Sequence, residues 1–438
     1  LKVGVDAIET NTFGANFANL AEYGIEERIY ELANAGAILA RQVADQYSTA
    51  DKPRWVLDSL GPGTKLPTLG HTSYEKLKLA YEEASKGLID GGSDALLIET
   101  TQDLLQAKAA VNGARDAINK SGKDIVLIAQ VTVETTGTML MGSEIGAALN
   151  ALEPLGIDLI GLNCATGPAE MSEHLRVLSK GATVGISVMP NAGLPVLGEN
   201  GAHYPLDGVE LAKSLKQFVI DYKVNLVGGC CGTTPAHMLE VVKQLQSVSV
   251  TSREVVREVG ASSLYQFAPF RQQNTYLSIG ERTNANGSRA FRDALLAEDW
   301  QSCVEIARDQ IRDGAHMLDL SVDYVGRDGV SDMKELAFRF ATTSTLPIVL
   351  DSTEPAVLEA GLKQLGGRSV INSVNYEDGD GPTSRFARIM PLVTEHGAAV
   401  IALTIDEDGQ ARDAQWKLKV ARRLINDLTG NWGMRVDD

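Results

Sequence analysis

The segment Val224-Asn225-Leu226-Val227-Gly228-Gly229-Cys230-Cys231-Gly232-Thr233-Thr234-Pro235 decides how this chain is read. Val224 to Val227 reads as a buried strand, and residues 236–246 read as the helix that follows. Two adjacent cysteines on a regular strand would point to opposite faces. Glycines on either side allow the backbone to turn, so both sulfurs can aim at one point. Three readings suit such a pair: a metal held by thiolates, a vicinal disulfide, or inert buried thiols. A third sulfur stands in a similar context, 66 residues before Cys230. Cys164 ends the apolar run Leu159-Ile160-Gly161-Leu162-Asn163 and opens the polar turn Ala165-Thr166-Gly167-Pro168. Three thiolates with one position open suit a zinc site that accepts a substrate.

Outward from this segment, short Val/Ile/Leu runs alternate with longer stretches of helical period, the pattern of successive βα units in a parallel sheet. Strands are expected near 3–9, 54–58, 95–99, 125–133, 157–163, 183–188 and 224–228. Helices are expected over 25–44, 73–90, 101–119, 143–155, 168–178 and 208–222. Seven strands are one short of a (β/α)8 barrel. The chain opens on Leu1 and enters its first apolar run at Val3, so the expectation is a TIM-type barrel cut before its first strand. The rhythm lapses over 249–270, which reads as a linker between a barrel over 1–248 and a second series over 271–438. That series predicts strands near 275–281, 315–320, 347–351, 368–373 and 398–405, a second barrel lacking its last strands. An open doubly wound sheet is the alternative, but no Gly-rich phosphate turn follows the first strand.

A length of 438 residues is too much for one ordinary core. Four cysteines make no disulfide framework and fit a reducing compartment. No signal peptide or spanning segment is legible, so the expectation is a cytoplasmic protein. A formal net charge of −17 argues against a broad nucleic-acid or membrane surface.

In α/β barrels the chemistry gathers at the carboxyl ends of the strands. The polar clusters of this chain fall there: Glu9-Thr10-Asn11-Thr12, Asp58-Ser59, Glu99-Thr100-Thr101, Asn163-Cys164, Met189-Pro190-Asn191-Ala192-Gly193 and the Cys-Cys turn. Four of these, Glu9-Thr10-Asn11-Thr12-Phe13, Asn163-Cys164, Met189-Pro190-Asn191-Ala192-Gly193 and Gly228-Gly229-Cys230-Cys231-Gly232, resemble the homocysteine-binding barrel shared by cobalamin-dependent methionine synthases and betaine–homocysteine methyltransferases. The resemblance implies zinc ligation by Cys164, Cys230 and Cys231. It also implies that Glu99 holds the substrate's amino group and that the Asn191 oxygen is a weak fourth ligand. Taken alone, Glu99 also reads as a charge at a helix N-terminus and Asn191 as a turn residue. The family's acidic residue on its first strand is absent from this chain.

The second half resembles the pterin-binding domain of the methionine synthase family. The resemblance rests on Ile279-Gly280-Glu281-Arg282-Thr283-Asn284-Ala285-Asn286-Gly287, Asp319 to Asp323, Leu350-Asp351-Ser352-Thr353 and Ile371-Asn372-Ser373-Val374-Asn375. A pterin offers an amide N–H beside an amino group, which a carboxylate accepts as a fork. Asp351 and Asn372 are the leading contacts, with Glu281 and Asn284 next. Asn372 is also a candidate for favouring a proton on the pterin N5. Further pterin and folate-tail contacts expected beyond Asp438 make weak folate binding the expectation for these residues.

The two halves together imply methyl transfer from 5-methyltetrahydrofolate to homocysteine through a cobalamin carrier held by a cobalamin-binding domain. Two rival readings are a zinc methyltransferase using betaine or another donor, and a non-catalytic binding fragment. The six histidines show no metal-ligand spacing, and Cys303 reads as a core residue.

Overall fold

The apolar runs are nearly continuous, not alternating, because each strand has both faces covered. A computed structural model of residues 1–198 and 201–438 divides the chain into two units, Leu1–Arg257 and Glu258–Asp438.

The first unit runs β1 (Ala7–Glu9), α1 (Phe17–Ala21), α2 (Ile29–Tyr47), β2 (Trp55–Leu60), α3 (Tyr74–Gly91), β3 (Ala95–Thr101) and α4 (Leu104–Ser121). It continues with β4 (Val126–Val131), α5 (Ile145–Leu152), β5 (Leu159–Asn163), α6 (Pro168–Gly181) and β6 (Gly185–Met189). A hairpin of β7 (Val196–Gly198) and β8 (Gly201–His203) precedes α7 (Gly208–Tyr222), β9 (Leu226–Val227) and α8 (Pro235–Leu245). Seven strands pair in parallel in the order β1-β2-β3-β4-β5-β6-β9. Leu57, Ala95, Leu97, Ile128 and Met189 pack together on one face. Their neighbours Val56, Leu96, Ile98, Leu127, Ile160 and Val188 are buried on the other. The period of two therefore puts Ser59, Glu99 and Asn163 on the inner face at the strand ends. β1 and β9 are the sheet's two edges, and a cavity of about 1060 Å³ lies between them, lined by Ile8, Glu9, Met189, Leu226 and Gly228 among others.

The second unit opens with a hairpin of β10 (Gly260–Ser262) and β11 (Phe267–Pro269). Then come β12 (Ile279–Gly280), α9 (Arg289–Leu296), α10 (Trp300–Arg312), β13 (Met317–Leu320), α11 (Gly329–Thr343), β14 (Ile348–Asp351), α12 (Pro355–Leu362), β15 (Val370–Val374), α13 (Arg385–His396) and β16 (Ala399–Ala402). A short hairpin of β17 (Ile405–Asp406) and β18 (Gly409–Gln410) leads to α14 (Ala414–Gly430). β12 to β16 form a five-stranded parallel sheet in chain order. Its helices cover a core that includes Phe291, Leu320, Phe340, Leu350, Ile371 and Tyr376.

Several elements differ from the sequence-based expectation. The stretch read as a linker carries the β10–β11 hairpin. Ser262 N–H donates to the Arg368 carbonyl at 3.0 Å, and Arg368 N–H donates to Ser262 Oγ at 2.9 Å. The Arg368 side chain is almost wholly buried, but its guanidinium donates to the Gly397 carbonyl at 2.8 Å and pairs with Asp438 at 3.1 Å. A buried cation is tolerable only with such partners. The single strand expected over 398–405 splits into β16 and β17, which pairs elsewhere with β18. The β7–β8 hairpin was not legible, because Leu194-Pro195-Val196-Leu197 carries no alternation. Among the described residues, no helix is long and apolar enough to cross a membrane.

Helices α3 and α4 meet at Gly113, where a Cβ would strike the Lys78 carbonyl and lie 2.9 Å from the Glu82 nitrogen. Helix propensity favours Ala over Gly by about 1 kcal/mol. Backbone atoms cannot yield here as a side-chain tip can, so Gly113→Ala is expected to destabilise unit 1 by about 1–3 kcal/mol in chemical denaturation.

Candidate functional site

The turn after β6 lies between the turn after β5 and the turn after β9, and hydrogen bonds join it to both. Cys164 N–H donates to the Met189 carbonyl at 3.1 Å, and Asn191 N–H to the Thr166 carbonyl at 3.1 Å. On the other side Cys230 N–H donates to the Pro190 carbonyl at 2.8 Å, and Ala192 N–H to the Cys231 carbonyl at 2.9 Å. The Asn191 side-chain oxygen accepts the Cys231 N–H at 3.1 Å. Cys164 and Ala165 take left-handed backbone angles, φ 61° and 54°, as does Thr100, φ 56°, at the end of β3. Such conformations cost roughly 1–3 kcal/mol each in non-glycine residues and persist where surrounding bonds dictate them.

This backbone brings three sulfurs together. Cys231 Sγ lies 3.8 Å from Cys164 Sγ and 4.0 Å from Cys230 Sγ, and all three lie within 4.8 Å of one another. Thiolates on a tetrahedral zinc at about 2.3 Å are separated by about 3.8 Å, so the donor set fits that ion. The protons agree. The neighbouring thiols, Cys230 first, lower the Cys164 pKa to about 6. Cys230 is raised by its neighbour Cys164 and by burial, and Cys231 by burial and by the Cys164 charge. One thiolate therefore forms readily, and the second and third need a cation. Cys303, the fourth cysteine, is wholly buried in the core of the second unit.

Glu99 is buried at the end of β3. It accepts from Ser59 Oγ at 2.5 Å and from Asn163 Nδ2 at 3.0 Å, while the Asn163 oxygen takes the Thr100 N–H at 2.7 Å. Its pKa is raised by burial and by charge on Cys164, which places carboxylate and sulfurs in one field. Asn163 and Ser59 position Glu99, roles that the sequence reading missed. Their inward-facing places in the period of two were the available signal. Glu9 is exposed at the end of β1, where it lines the cavity between the sheet's edges. Desolvation in the cavity first, and then Glu99, raise its pKa to about 7.

In the second unit the polar groups gather at the ends of β12 to β15. The Asn284 oxygen accepts the N–H groups of Asn286 and Gly287 at 2.9 Å each. That anchors the amide so that Nδ2 donates to Asp319 at 2.9 Å and to Asp351 at 3.1 Å. Asn284 thus has its hydrogen-bonding capacity engaged inside the protein. Asn284, expected as a pterin contact, holds two carboxylates in place here. Asn372 stands opposite Asp351 in the β14–β15 register. Asp323 accepts from Ser352 Oγ at 2.8 Å and from the Thr353 N–H at 3.1 Å. Burial and then the charges of Asp319 and Asp323 raise the Asp351 pKa to about 6, and exposed Glu281 adds to this field. The cluster has a surplus of acceptors, which suits a ligand edge made of N–H donors.

Residues 1–245 match the homocysteine S-methyltransferase family, and residues 280–438 match the pterin binding enzyme family. The chain is 64% identical over 433 residues to methionine synthase of Mycobacterium tuberculosis (strain ATCC 25618 / H37Rv). It is 61% identical over 438 residues to methionine synthase of Mycobacterium leprae (strain TN). Each match covers 99% of this chain and 36% of the relative, so the chain spans about a third of their length. The homocysteine methyltransferase MmuM of Escherichia coli, in its metallated form, aligns with 20% identity and a TM-score of 0.46 over 56% of this chain and 81% of that one.

The three-sulfur arrangement is expected to bind one equivalent of zinc, measured by metal analysis after dialysis, and Cys230→Ser is expected to retain little. Gly232 has φ 80°, and a Cβ there would lie 2.5 Å from the Tyr204 Cβ. Gly232→Ala is therefore expected to lower zinc retention while Cys303 stays protected from thiol reagents.

Proposed function

The chain belongs to the homocysteine S-methyltransferase family, and on that premise we propose that its first unit activates the thiol of homocysteine for methylation. The convergence of Cys164, Cys230 and Cys231 carries this reading. We read residues 1–248 as a homocysteine-binding (β/α)8 barrel with one strand place open between β1 and β9. Residues 271–438 are read as part of a second barrel that binds 5-methyltetrahydrofolate, with 249–270 between them. Zinc held by the three cysteines would supply the charge that keeps the homocysteine thiol ionised near neutral pH.

The protein's own groups do the rest at this site. Glu99, aimed by Ser59 and Asn163, accepts the substrate's ammonium group, which fixes one end of a short amino acid. Asn191 holds the Cys231 backbone through its oxygen, and its amide side chain flanks the position a fourth ligand occupies. The left-handed turn at Cys164 sets its sulfur before any ligand arrives, so binding does not have to order it.

In the second unit, Asp351 takes the paired N–H donors of the pterin, with Glu281 adding negative potential. Asn284 holds Asp351 and Asp319 in place. Asn372, beside Asp319, borders the ring where a proton on N5 would make tetrahydrofolate a better leaving group. The overall reaction is methyl transfer from 5-methyltetrahydrofolate to homocysteine, giving methionine and tetrahydrofolate. Cobalamin held by a separate domain would supply the methyl-carrier chemistry for that reaction.

Zinc-loaded protein given methylcobalamin and homocysteine is expected to form methionine, and Cys230→Ser to fall to the uncatalysed rate. Formation from betaine instead of methylcobalamin would overturn the donor assignment. Glu99→Gln is expected to raise the homocysteine KM about tenfold or more, the loss of one charged hydrogen bond. Pterin binding to the second unit, followed by calorimetry, is expected to weaken as pH falls through about 6. There Asp351 gains a proton and ceases to accept from two donors. Asp351→Asn is expected to bind about tenfold to a hundredfold more weakly at pH 7 and to lose that pH dependence.

A further inference from the structure

Thr10 and Thr12 follow β1 on the rim that carries the sulfurs, and both are buried, with 6% and 4% of their surface exposed. A buried hydroxyl needs hydrogen-bond partners. These two converge on Ser59, the residue whose own hydroxyl holds Glu99. The main-chain ladder between β1 and β2 reaches as far as the Thr10 N–H, which donates to the Leu57 carbonyl at 3.0 Å. Beyond that point side chains continue it. Ser59 N–H donates to Thr10 Oγ1 at 3.0 Å, and Thr12 Oγ1 donates to the Ser59 carbonyl at 2.7 Å.

The two threonine hydroxyl oxygens lie 2.6 Å apart. A hydroxyl has one proton, and the Ser59 carbonyl takes that of Thr12, so Thr10 is the donor between them. The bonds close into a ring: Ser59 N–H to Thr10, Thr10 to Thr12, and Thr12 back to the Ser59 carbonyl. The ring holds the backbone of Ser59 on both sides of its Cα and leaves its hydroxyl proton for Glu99 Oε1, at 2.5 Å. The second Glu99 oxygen accepts from Asn163 Nδ2 at 3.0 Å, so the carboxylate is fixed at both ends. Close packing sets the pose of Thr12. A Cβ on Gly36 in α2 would strike Thr12 Cγ2, and one on Gly61 would strike the Phe13 carbonyl. The Thr12 methyl therefore rests on bare helix backbone, and its hydroxyl is left facing Ser59.

We propose that Thr10 and Thr12 are positioning residues for recognition of the substrate's amino group, acting through Ser59 on Glu99. A carboxylate free to rotate loses that freedom when an ammonium group binds it. One aimed beforehand loses less, and the difference appears as affinity. The threonine ring thus favours thiols that carry an amino group over thiols that lack one. The inference rests on the reading of Glu99 as acceptor of the substrate's ammonium group and extends that subsite back to the end of β1.

The test is calorimetry on the full zinc-loaded chain with two ligands, homocysteine and its analogue without the amino group. Thr12→Val keeps the branched side chain against Gly36 and removes the hydroxyl. It is expected to weaken homocysteine binding about fivefold to tenfold, the scale of one hydrogen bond, and to leave the analogue within about twofold of wild type. Thr12→Ser, which keeps the hydroxyl, is expected to bind both ligands as wild type does. The double variant Thr12→Val with Ser59→Ala is expected to bind homocysteine no more weakly than Ser59→Ala alone, because one residue acts through the other. Homocysteine binding unchanged in Thr12→Val overturns the proposal. Equal weakening of both ligands does so too, since that reports a distorted site, and so do additive losses in the double variant. Should Thr12→Val not fold, Thr10→Val carries the same comparison. Failure of both to fold also overturns the proposal, because the ring would then serve the fold instead of the subsite. Wild type that binds the two ligands equally removes the ammonium role of Glu99 itself, and the proposal falls with it by a result distinct from the others.

Discussion

The backbone of Met189-Pro190-Asn191-Ala192 is hydrogen-bonded on one side to the turn of Cys164 and on the other to the turn of Cys230 and Cys231. This double seam converts three cysteines from two distant parts of the chain into one donor set. Without it the left-handed turn at Cys164 and Ala165 would relax, because isolated non-glycine residues avoid that conformation. The sheet order supplies the geometry: β6 lies between β5 and β9, so its turn reaches both neighbours. Parallel strands joined through helices place every such turn on the same rim. The strap between β8 and α7 is joined to the same turn, since Leu206 N–H donates to the Ala192 carbonyl.

Both sites use buried acidity, but in different ways. In the first unit the sulfurs and Glu99 raise each other's cost of ionisation, and a ligand or ion of positive charge relieves it. In the second, Asp319, Asp323 and Asp351 crowd together and are kept apart and oriented by neutral donors, Asn284 and Ser352. A carboxylate held this way offers acceptors at fixed positions, the preorganisation that recognition of a planar N–H edge requires. The overall charge of −17 says little about either site, since exposed charges beyond a Debye length are screened.

The βα alternation was readable because strands covered on both faces must be almost wholly apolar and short, while the helices between them keep one polar face. Most strand positions therefore agree with the expectation to within a few residues. The misses have local causes. The β10–β11 hairpin is three residues a side and gains its stability from Arg368, which lies 106 residues away from Ser262. The split between β16 and β17 turns on a change of pairing partner, which periodicity does not record. The grouping of three sulfurs was legible from Gly-Gly-Cys-Cys-Gly and Asn-Cys, because each motif ends an apolar strand and so falls on the same rim.

Residue chemistry and spacing pointed to the three sulfurs, and the family resemblance of the strand-end motifs to a carboxylate ending β3 and to aspartates and asparagines ending the strands of the second sheet. Only the tertiary structure decided how they divide the labour. It set Asn284 between two carboxylates and gave Asn163 and Ser59 to Glu99. The reason is directional. A hydrogen bond depends on a few tenths of an ångström and on angle, and those are fixed by contacts between segments far apart in the chain, which no local pattern of residues encodes.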